Sequence, residues 1–156
     1  SKAYALPGLR LGWLAGPEPI ISDSWAYHDY TSISAGLLSQ KIAEWILGSN
    51  LRDQIIQRNR TMLKENLKLC RNWISAHDPF LSMIAPRAGG MAFIRYQYQI
   101  NSTELADRLR KEKSVFILAG DTYGMDGYFR IGIGAEKEYL RKGLERVSEF
   151  IRTFEK

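Results

Sequence analysis

The longest amphipathic segment of the chain, residues 51–76, constrains the fold more than any other stretch. Apolar residues recur there at helical spacing, separated by polar RDQ, QRNR and KEN clusters. The pattern predicts one helix of about these limits, ended by Pro79. Such a helix is much longer than the average for a globular domain, which indicates a connector between two lobes. The apolar stripe consists of Leu51, Ile55, Met62, Leu63, Leu67, Cys70, Trp73 and Ile74.

The segment before this helix shows a different pattern. Residues 9–15, LRLGWLA, lie between a Pro-Gly and a Gly-Pro pair and predict a strand buried on both faces. Pro17, Pro19 and the Ser-Asp that follows them predict a loop. Apolar residues at helical spacing then predict a helix over about 35–47, ended by Gly-Ser-Asn.

The segment after the long helix predicts a small α+β lobe with a mostly antiparallel sheet flanked by helices. Asn101 followed by Glu104 resembles a capping box and begins a short helix that reaches about Lys113. An amphipathic pattern running from Leu140 to Phe154 predicts a closing helix. The strands are expected in residues 80–86, 89–100, 114–120 and 128–134.

Composition excludes several classes of function. The net charge of +5 is spread among acidic residues instead of forming a basic block, which argues against nucleic-acid binding. No apolar run reaches the length of a membrane span, so we expect a soluble, cytoplasmic protein. Cys70 is the only cysteine, and His28 and His77 lack ligand spacing, so neither a disulfide nor a metal site is predicted.

Two basic residues near the start are candidates for chemistry. The Lys2 amine could form a Schiff base with a carbonyl compound, although a lysine at this position is usually a solvated side chain. Arg10 lies in the predicted buried strand, where its guanidinium needs an anionic partner, either a phosphate or a salt-bridged carboxylate. Gly8 and Gly12 leave room for an unusual turn or a close backbone approach.

A third basic residue, Arg130, repeats this pattern in the strand YFRIGIG. A substrate carboxylate would suit its guanidinium, and a structural pair with Asp or Glu is the alternative. The preceding loop, residues 121–127, either lies near the entrance of a site or only connects two strands.

These residues stand in a pattern that resembles the class I/II aminotransferases, the fold-type I pyridoxal-phosphate enzymes. Ser1-Lys2 and the following LPGLRLGW match the family's S-K-x-x-x-L-P-G-x-R-x-G-W signature, which is specific. Weaker matches follow in the family's order: YTSI at residues 30–33, RNR at 58–60, AGG at 88–90, and AGDTYGMDGYFRIGIG at 119–134. The resemblance therefore spans nearly the whole chain.

The resemblance implies roles for the candidate residues. Lys2 would form the Schiff base with pyridoxal phosphate and move the proton between the substrate Cα and the cofactor. Arg10 would hold the cofactor phosphate, helped by Gly8, and Ser1 would lie beside the lysine. Arg130 would bind the substrate α-carboxylate. The substrates implied are an amino acid and a 2-oxo acid, and the whole protein would be a homodimer.

The resemblance also implies that these residues form the C-terminal part of the family's α/β fold. Residues 1–50 would be a remnant of the large domain, 51–76 the connecting helix and 77–156 the small domain. The family's large domain supplies an aspartate at the pyridinium nitrogen and other cofactor contacts, and none of these maps onto this chain. We therefore expect this segment to be inactive alone.

Two alternatives remain open from the sequence. Lys2 and Arg10 would serve a C–S lyase or a decarboxylase of the same fold equally well, because the cofactor carries the chemistry. A transcription regulator with an aminotransferase-like sensor domain would also contain these residues. The sequence does not identify the amino acid.

Overall fold

The computed structural model describes residues 3–154. The chain divides into two compact units, Ser1–Asn59 and Arg60–Lys156, which we call unit 1 and unit 2. The division falls inside the long helix. The domain limits expected from the sequence, at 50 and 76, concern the whole protein and stay a prediction.

Unit 1 contains helix α1 (Glu18–His28), helix α2 (Leu37–Leu47) and the beginning of helix α3 (Leu51–Ser75). The predicted α2 is confirmed. The loop predicted after Pro17 is wrong, because α1 begins there with a proline in its first turn. A proline is tolerated at that position, since the first N–H groups of a helix have no partner inside the helix.

The buried strand predicted at residues 9–15 is also not observed. A 3-10 turn covers Pro7–Leu9, and the following residues up to Pro17 belong to no strand. A strand requires a hydrogen-bonded neighbour, and no strand is assigned to the described part of unit 1. Trp13 and Leu14 are exposed as a result.

Helix α3 confirms the amphipathic pattern, because every residue of its predicted apolar stripe is buried or half-buried. In unit 2 the strands are β1 (Leu81–Ser82), β2 (Met91–Tyr96), β3 (Leu118–Ala119) and β4 (Tyr128–Gly132). The helices are α4 (Ser102–Lys113) and α5 (Lys137–Ile151). The predicted order of elements in unit 2 is therefore confirmed, and all four strands are shorter than expected.

The four strands form one antiparallel sheet in the order β1-β2-β4-β3. The central pair aligns Phe93 with Arg130 and Ile94 with Phe129. Since side chains alternate along a strand, Ile94 and Phe129 point to one face of the sheet while Phe93 and Arg130 point to the other.

The first of these faces packs into the core of unit 2. Phe129 and Ile94 belong to one buried cluster with Leu109 of α4 and Val147 and Phe150 of α5. The Asn66 side chain of α3 enters the same region, where its Nδ2 donates to the carbonyls of Ile133 at 2.9 Å and Ala135 at 2.8 Å. The second face of the sheet carries Phe93, Tyr128 and Arg130. Between residues 3 and 154, no helix is both long and apolar enough to cross a bilayer.

Candidate active site

Arg10 lies at the end of the Pro7–Leu9 turn, in a left-handed conformation with φ 50° and ψ 37°. Its N–H donates to the Pro7 carbonyl at 3.2 Å, which closes the turn. The expectation of a buried strand arginine is wrong, because the side chain is exposed. Within residues 3–154 the guanidinium forms no ion pair; its one hydrogen bond, at 3.4 Å, goes to the Pro7 carbonyl. It is therefore available for an anion.

The two glycines near this turn have open surroundings. A Cβ added at Gly8 or Gly12 would meet no atom within 4 Å, so packing between described residues does not require glycine there. The positive φ angles fall instead on Ala5 and Arg10. The role of Gly8 in holding a cofactor stays a prediction.

An apolar cavity of about 330 Å³ lies behind the turn, within unit 1. No charged side chain lines it, so its chemistry does not suit a phosphate or a carboxylate. Its lining consists of Ala3, Tyr4, Leu6, Leu9, Leu11, Gly12, Trp13, Ala43, Ile46 and Leu47.

Arg130 lies in the middle of β4 on the sheet face opposite the core, as its buried neighbours Phe129 and Ile131 require. The side chain is half-buried. No Asp or Glu among the described residues lies within ion-pair distance, so the structural pair considered above is not found there. A half-buried guanidinium without a carboxylate partner has the chemistry to bind an anion.

One aromatic ring contacts Arg130, and two more continue from that ring on the same face of the sheet. Its Cζ lies 5.1 Å from the centre of the Tyr123 ring, which is a cation–π contact. Phe93, directly across the strand pair, meets Tyr123 edge to face at 5.9 Å and stacks on Tyr128 at 5.3 Å. The Tyr123 ring therefore limits the positions that the guanidinium can take.

The loop that carries Tyr123 is attached to the N-terminus of α4. Asp126 Oδ1 accepts the Ser102 N–H at 2.7 Å, and Asp121 Oδ2 accepts the Thr103 hydroxyl at 2.6 Å. The Asp121 N–H donates in turn to Ser102 Oγ at 3.0 Å. The pKa of Asp121 is lowered mainly by the Thr103 hydrogen bond, and that of Asp126 mainly by the Ser102 N–H.

Glycines fix the path of the same loop. A Cβ at Gly120 would lie 2.1 Å from the Met125 carbonyl oxygen and 2.5 Å from that of Tyr128, so only glycine fits without a shift. Gly124 and Gly127 have φ angles of 69° and 78°, which favour glycine. Together with the hydrogen bonds of Asp121 and Asp126 to α4, these glycines hold the loop at both of its ends.

The structure describes the two predicted site arginines, Arg10 and Arg130, in separate units. Lys2 and Ser1 lie outside the described residues, so their roles stay predictions. Arg10 is described within unit 1 and Arg130 within unit 2, each as a guanidinium without an ion pair to another described residue. Both features agree with anion binding.

Sequence reasoning missed the group of Tyr123, Phe93 and Tyr128 beside Arg130. Phe93 and Tyr128 alternate with core residues along their strands, which was a visible signal for the second face of the sheet. Their contact depends on the register between β2 and β4, which the sequence did not give. Tyr123 lay in a loop whose role had been left open.

Comparison with known proteins now places these features in a family. The model for "Aminotransferase class I and II" matches residues 1–147. Capreomycidine synthase of Streptomyces vinaceus is 30% identical over 153 residues, which cover 98% of this chain and 39% of that protein. An uncharacterized HTH-type transcriptional regulator of Bacillus subtilis is 32% identical over 157 residues, which cover 94% of this chain and 31% of that protein.

A solved structure gives the same result for the fold. A PLP-dependent aminotransferase from Streptococcus suis superposes with a TM-score of 0.91 at 34% identity, over 99% of this chain and 40% of that one. The chain thus spans about two fifths of the length of capreomycidine synthase and of this aminotransferase. It belongs to the class I and II aminotransferases, a family whose cofactor is pyridoxal phosphate.

Proposed function

We propose that this chain is part of a pyridoxal-phosphate-dependent enzyme that transfers an amino group from an amino acid to a 2-oxo acid. The observation that carries the proposal is the presence of the lysine-arginine signature together with Arg130, whose guanidinium has no carboxylate partner among the described residues. A cofactor phosphate and a substrate carboxylate are the anions that an aminotransferase must hold, and arginine binds both well.

The residues present fit the cofactor. Arg10, at the end of the Pro7–Leu9 turn, is exposed and has no competing carboxylate among residues 3–154. Its guanidinium is therefore accessible to a phosphate group. Lys2 supplies the primary amine that reacts with an aldehyde. We propose that Lys2 makes the covalent link, that Arg10 binds the phosphate, and that Ser1 and Gly8 border the same group.

The bound cofactor supplies an electron sink for the bond broken at the substrate Cα. In this proposal Arg130 binds the α-carboxylate through two parallel N–H donors and so fixes the orientation of Cα. The Lys2 amine would accept the Cα proton at Nζ and hold it for the return transfer. Each residue therefore acts at a different atom of the same reaction.

The proposal includes the state of the whole protein. The chain covers about two fifths of capreomycidine synthase and of the Streptococcus suis aminotransferase, so we propose that the rest of the fold supplies the remaining cofactor contacts. These 156 residues alone would then be inactive. The working form would be a homodimer in the cytoplasm.

Two relatives favour a second candidate function. A capreomycidine synthase and a transcriptional regulator are each at least 30% identical to this chain, and neither is named an aminotransferase. A different reaction on the same cofactor, or a sensor domain, would use Lys2 and Arg10 in the same way. The products formed by the whole protein separate these candidates.

The test is a product assay on the intact protein loaded with pyridoxal phosphate. We would incubate it with a panel of amino acids and 2-oxoglutarate, and measure 2-oxo acids, new amino acids, ammonia and carbon dioxide. Stoichiometric formation of a 2-oxo acid and a new amino acid supports the proposal. Release of ammonia or carbon dioxide, or no turnover, contradicts it. Lys2→Ala should abolish product formation, and Lys41→Ala, at an exposed lysine of α2, should not.

A further inference from the structure

We infer that Tyr123 is a positioning residue for Arg130: its ring holds the guanidinium in the orientation that receives the substrate carboxylate. This inference rests on the proposed function, because it assigns a carboxylate to Arg130. Tyr123 itself would touch no reacting atom. It would act through the arginine, and therefore on substrate affinity more than on the rate of the chemical step.

The first observation is the contact itself. Arg130 Cζ lies over the Tyr123 ring at 5.1 Å, within the range in which the face of an aromatic ring attracts a cation. No ion pair to another described residue competes for the guanidinium. The Tyr123 ring is thus the group that fixes its orientation on this side.

The second observation is that the ring is itself held in place. Phe93 meets Tyr123 edge to face, and Phe93 is fixed by the strand register directly opposite Arg130. Stacking on Tyr128 holds Phe93 from the next cross-strand position. The guanidinium and its aromatic neighbours therefore form one continuous group on the sheet face opposite the core.

The third observation concerns the backbone beneath Tyr123. The loop is attached to α4 through Asp121 and Asp126, and Gly120 allows it to cross the carbonyls of Met125 and Tyr128. Ordering a free loop at each binding event would reduce affinity, whereas a loop that is already fixed does not carry that cost. The position of Tyr123 is set before the ligand arrives.

The planar shape of the guanidinium explains why orientation matters. Two parallel N–H donors meet the two carboxylate oxygens only when the planes of the two groups are aligned. The contact with the Tyr123 ring is not a hydrogen bond, so it leaves the N–H donors of the guanidinium free for the carboxylate. Loss of the ring leaves the charge in place but allows the plane to rotate.

The experiment measures binding of propionate, which has a carboxylate but no amino group, to the intact protein by ligand-observed NMR. Tyr123→Leu should raise the propionate Kd about fivefold, the scale of a partly exposed cation–π contact. Tyr123→Phe, which keeps the ring, should stay within twofold of the unaltered protein. Tyr139→Leu, at an exposed tyrosine of α5 with no ring contact to Arg130, serves as the matched control and should leave the Kd unchanged.

A double variant distinguishes positioning from a general loss of structure. If Tyr123 acts through Arg130, then Tyr123→Leu should change propionate binding less than twofold in an Arg130→Lys background, because the planar partner is gone. In turnover assays Tyr123→Leu should raise the amino acid KM and leave kcat within twofold. Equal effects of Tyr123→Leu in both backgrounds would overturn the inference, as would an unchanged Kd in the single variant.

The two proposals fail separately. A protein that binds propionate through Arg130 and Tyr123 but transfers no amino group refutes the proposed function and keeps the positioning role. A protein that transfers amino groups while Tyr123→Leu leaves the propionate Kd and the KM unaltered refutes the positioning role alone.

Discussion

The two units differ in how far their large apolar side chains are buried. In unit 2 the sheet and helices bury a continuous cluster that includes Phe129, Ile94 and Phe150. Among the described residues of unit 1, Ile46 is the only buried hydrophobic residue, while Trp13 is 76% exposed and Tyr30 is 92% exposed. Apolar residues become buried only where other residues pack over them. In unit 2 the described residues of the unit itself provide this packing.

The largest expected difference between the units comes from removing one aromatic ring in each. Phe129→Ala should lower the free energy of unfolding by about 3–5 kcal/mol, because it leaves a cavity in a packed core. Trp13→Ala removes a larger ring but should change the free energy of unfolding by less than about 0.5 kcal/mol, since the Trp13 ring is mostly exposed. Urea unfolding of the purified chain measures both. Similar losses would contradict the contrast between the units.

The next effect concerns the loop beneath Tyr123. Gly120→Ala should lower the free energy of unfolding by about 3 kcal/mol, because the new Cβ would collide with two backbone carbonyls. Gly143→Ala, in the middle of α5 with nothing within 4 Å, should instead raise it by up to about 1 kcal/mol through helix propensity. Thermal unfolding of the two variants checks the opposite signs, and a harmless Gly120→Ala would show that the loop is not tightly held.

A smaller loss is expected from a buried amide of α3. Asn66→Leu should cost about 2 kcal/mol, because the carbonyls of Ile133 and Ala135 would lose their donor. Asn72→Leu, at an exposed position of the same helix, is the matched control and should have little effect. Chemical unfolding measures the difference between the two variants; no difference would mean that the amide does not hold this segment.

The smallest effect is a pH dependence on the surface of α4. Hydrogen bonds from Lys111 and Arg110 lower the pKa of Asp107 to about 2. The stabilisation is therefore complete above the ordinary Asp pKa of about 4 and is lost as the pH falls from there through 2. Acid titration of the unfolding midpoint should show a slight decrease in this range, which Asp107→Asn removes. An identical profile in the variant would contradict the assignment.

The sequence predicted those elements that depend on a local pattern and failed for those that depend on contacts with other segments. Helices α3 and α5 followed from their own periodicity, which is local and therefore readable. Residues 9–15 had the composition of a buried strand but form none here, because pairing depends on a neighbour that the pattern does not contain. The first turn of α1 was misread, since a proline ends a helix or begins one according to its position.

The candidate site shows the same division. Arg10 and Arg130 were identified from residue type and motif, and both lack an ion pair to another described residue. The conformation predicted for Arg10 is wrong, because a 3-10 turn takes the place of the expected strand. The contact of Tyr123 with Arg130 joins a loop to a strand, and such a contact depends on tertiary structure that a single sequence does not show.

The central claim is that Lys2 carries the cofactor, and one measurement tests it most directly. Borohydride reduction of the intact, pyridoxal-phosphate-loaded protein fixes any imine between the cofactor and a lysine, and peptide mass spectrometry locates it. We predict a phosphopyridoxyl group on Lys2, present in the unaltered protein and in Lys41→Ala. A label on another lysine, or none at all, would contradict the account.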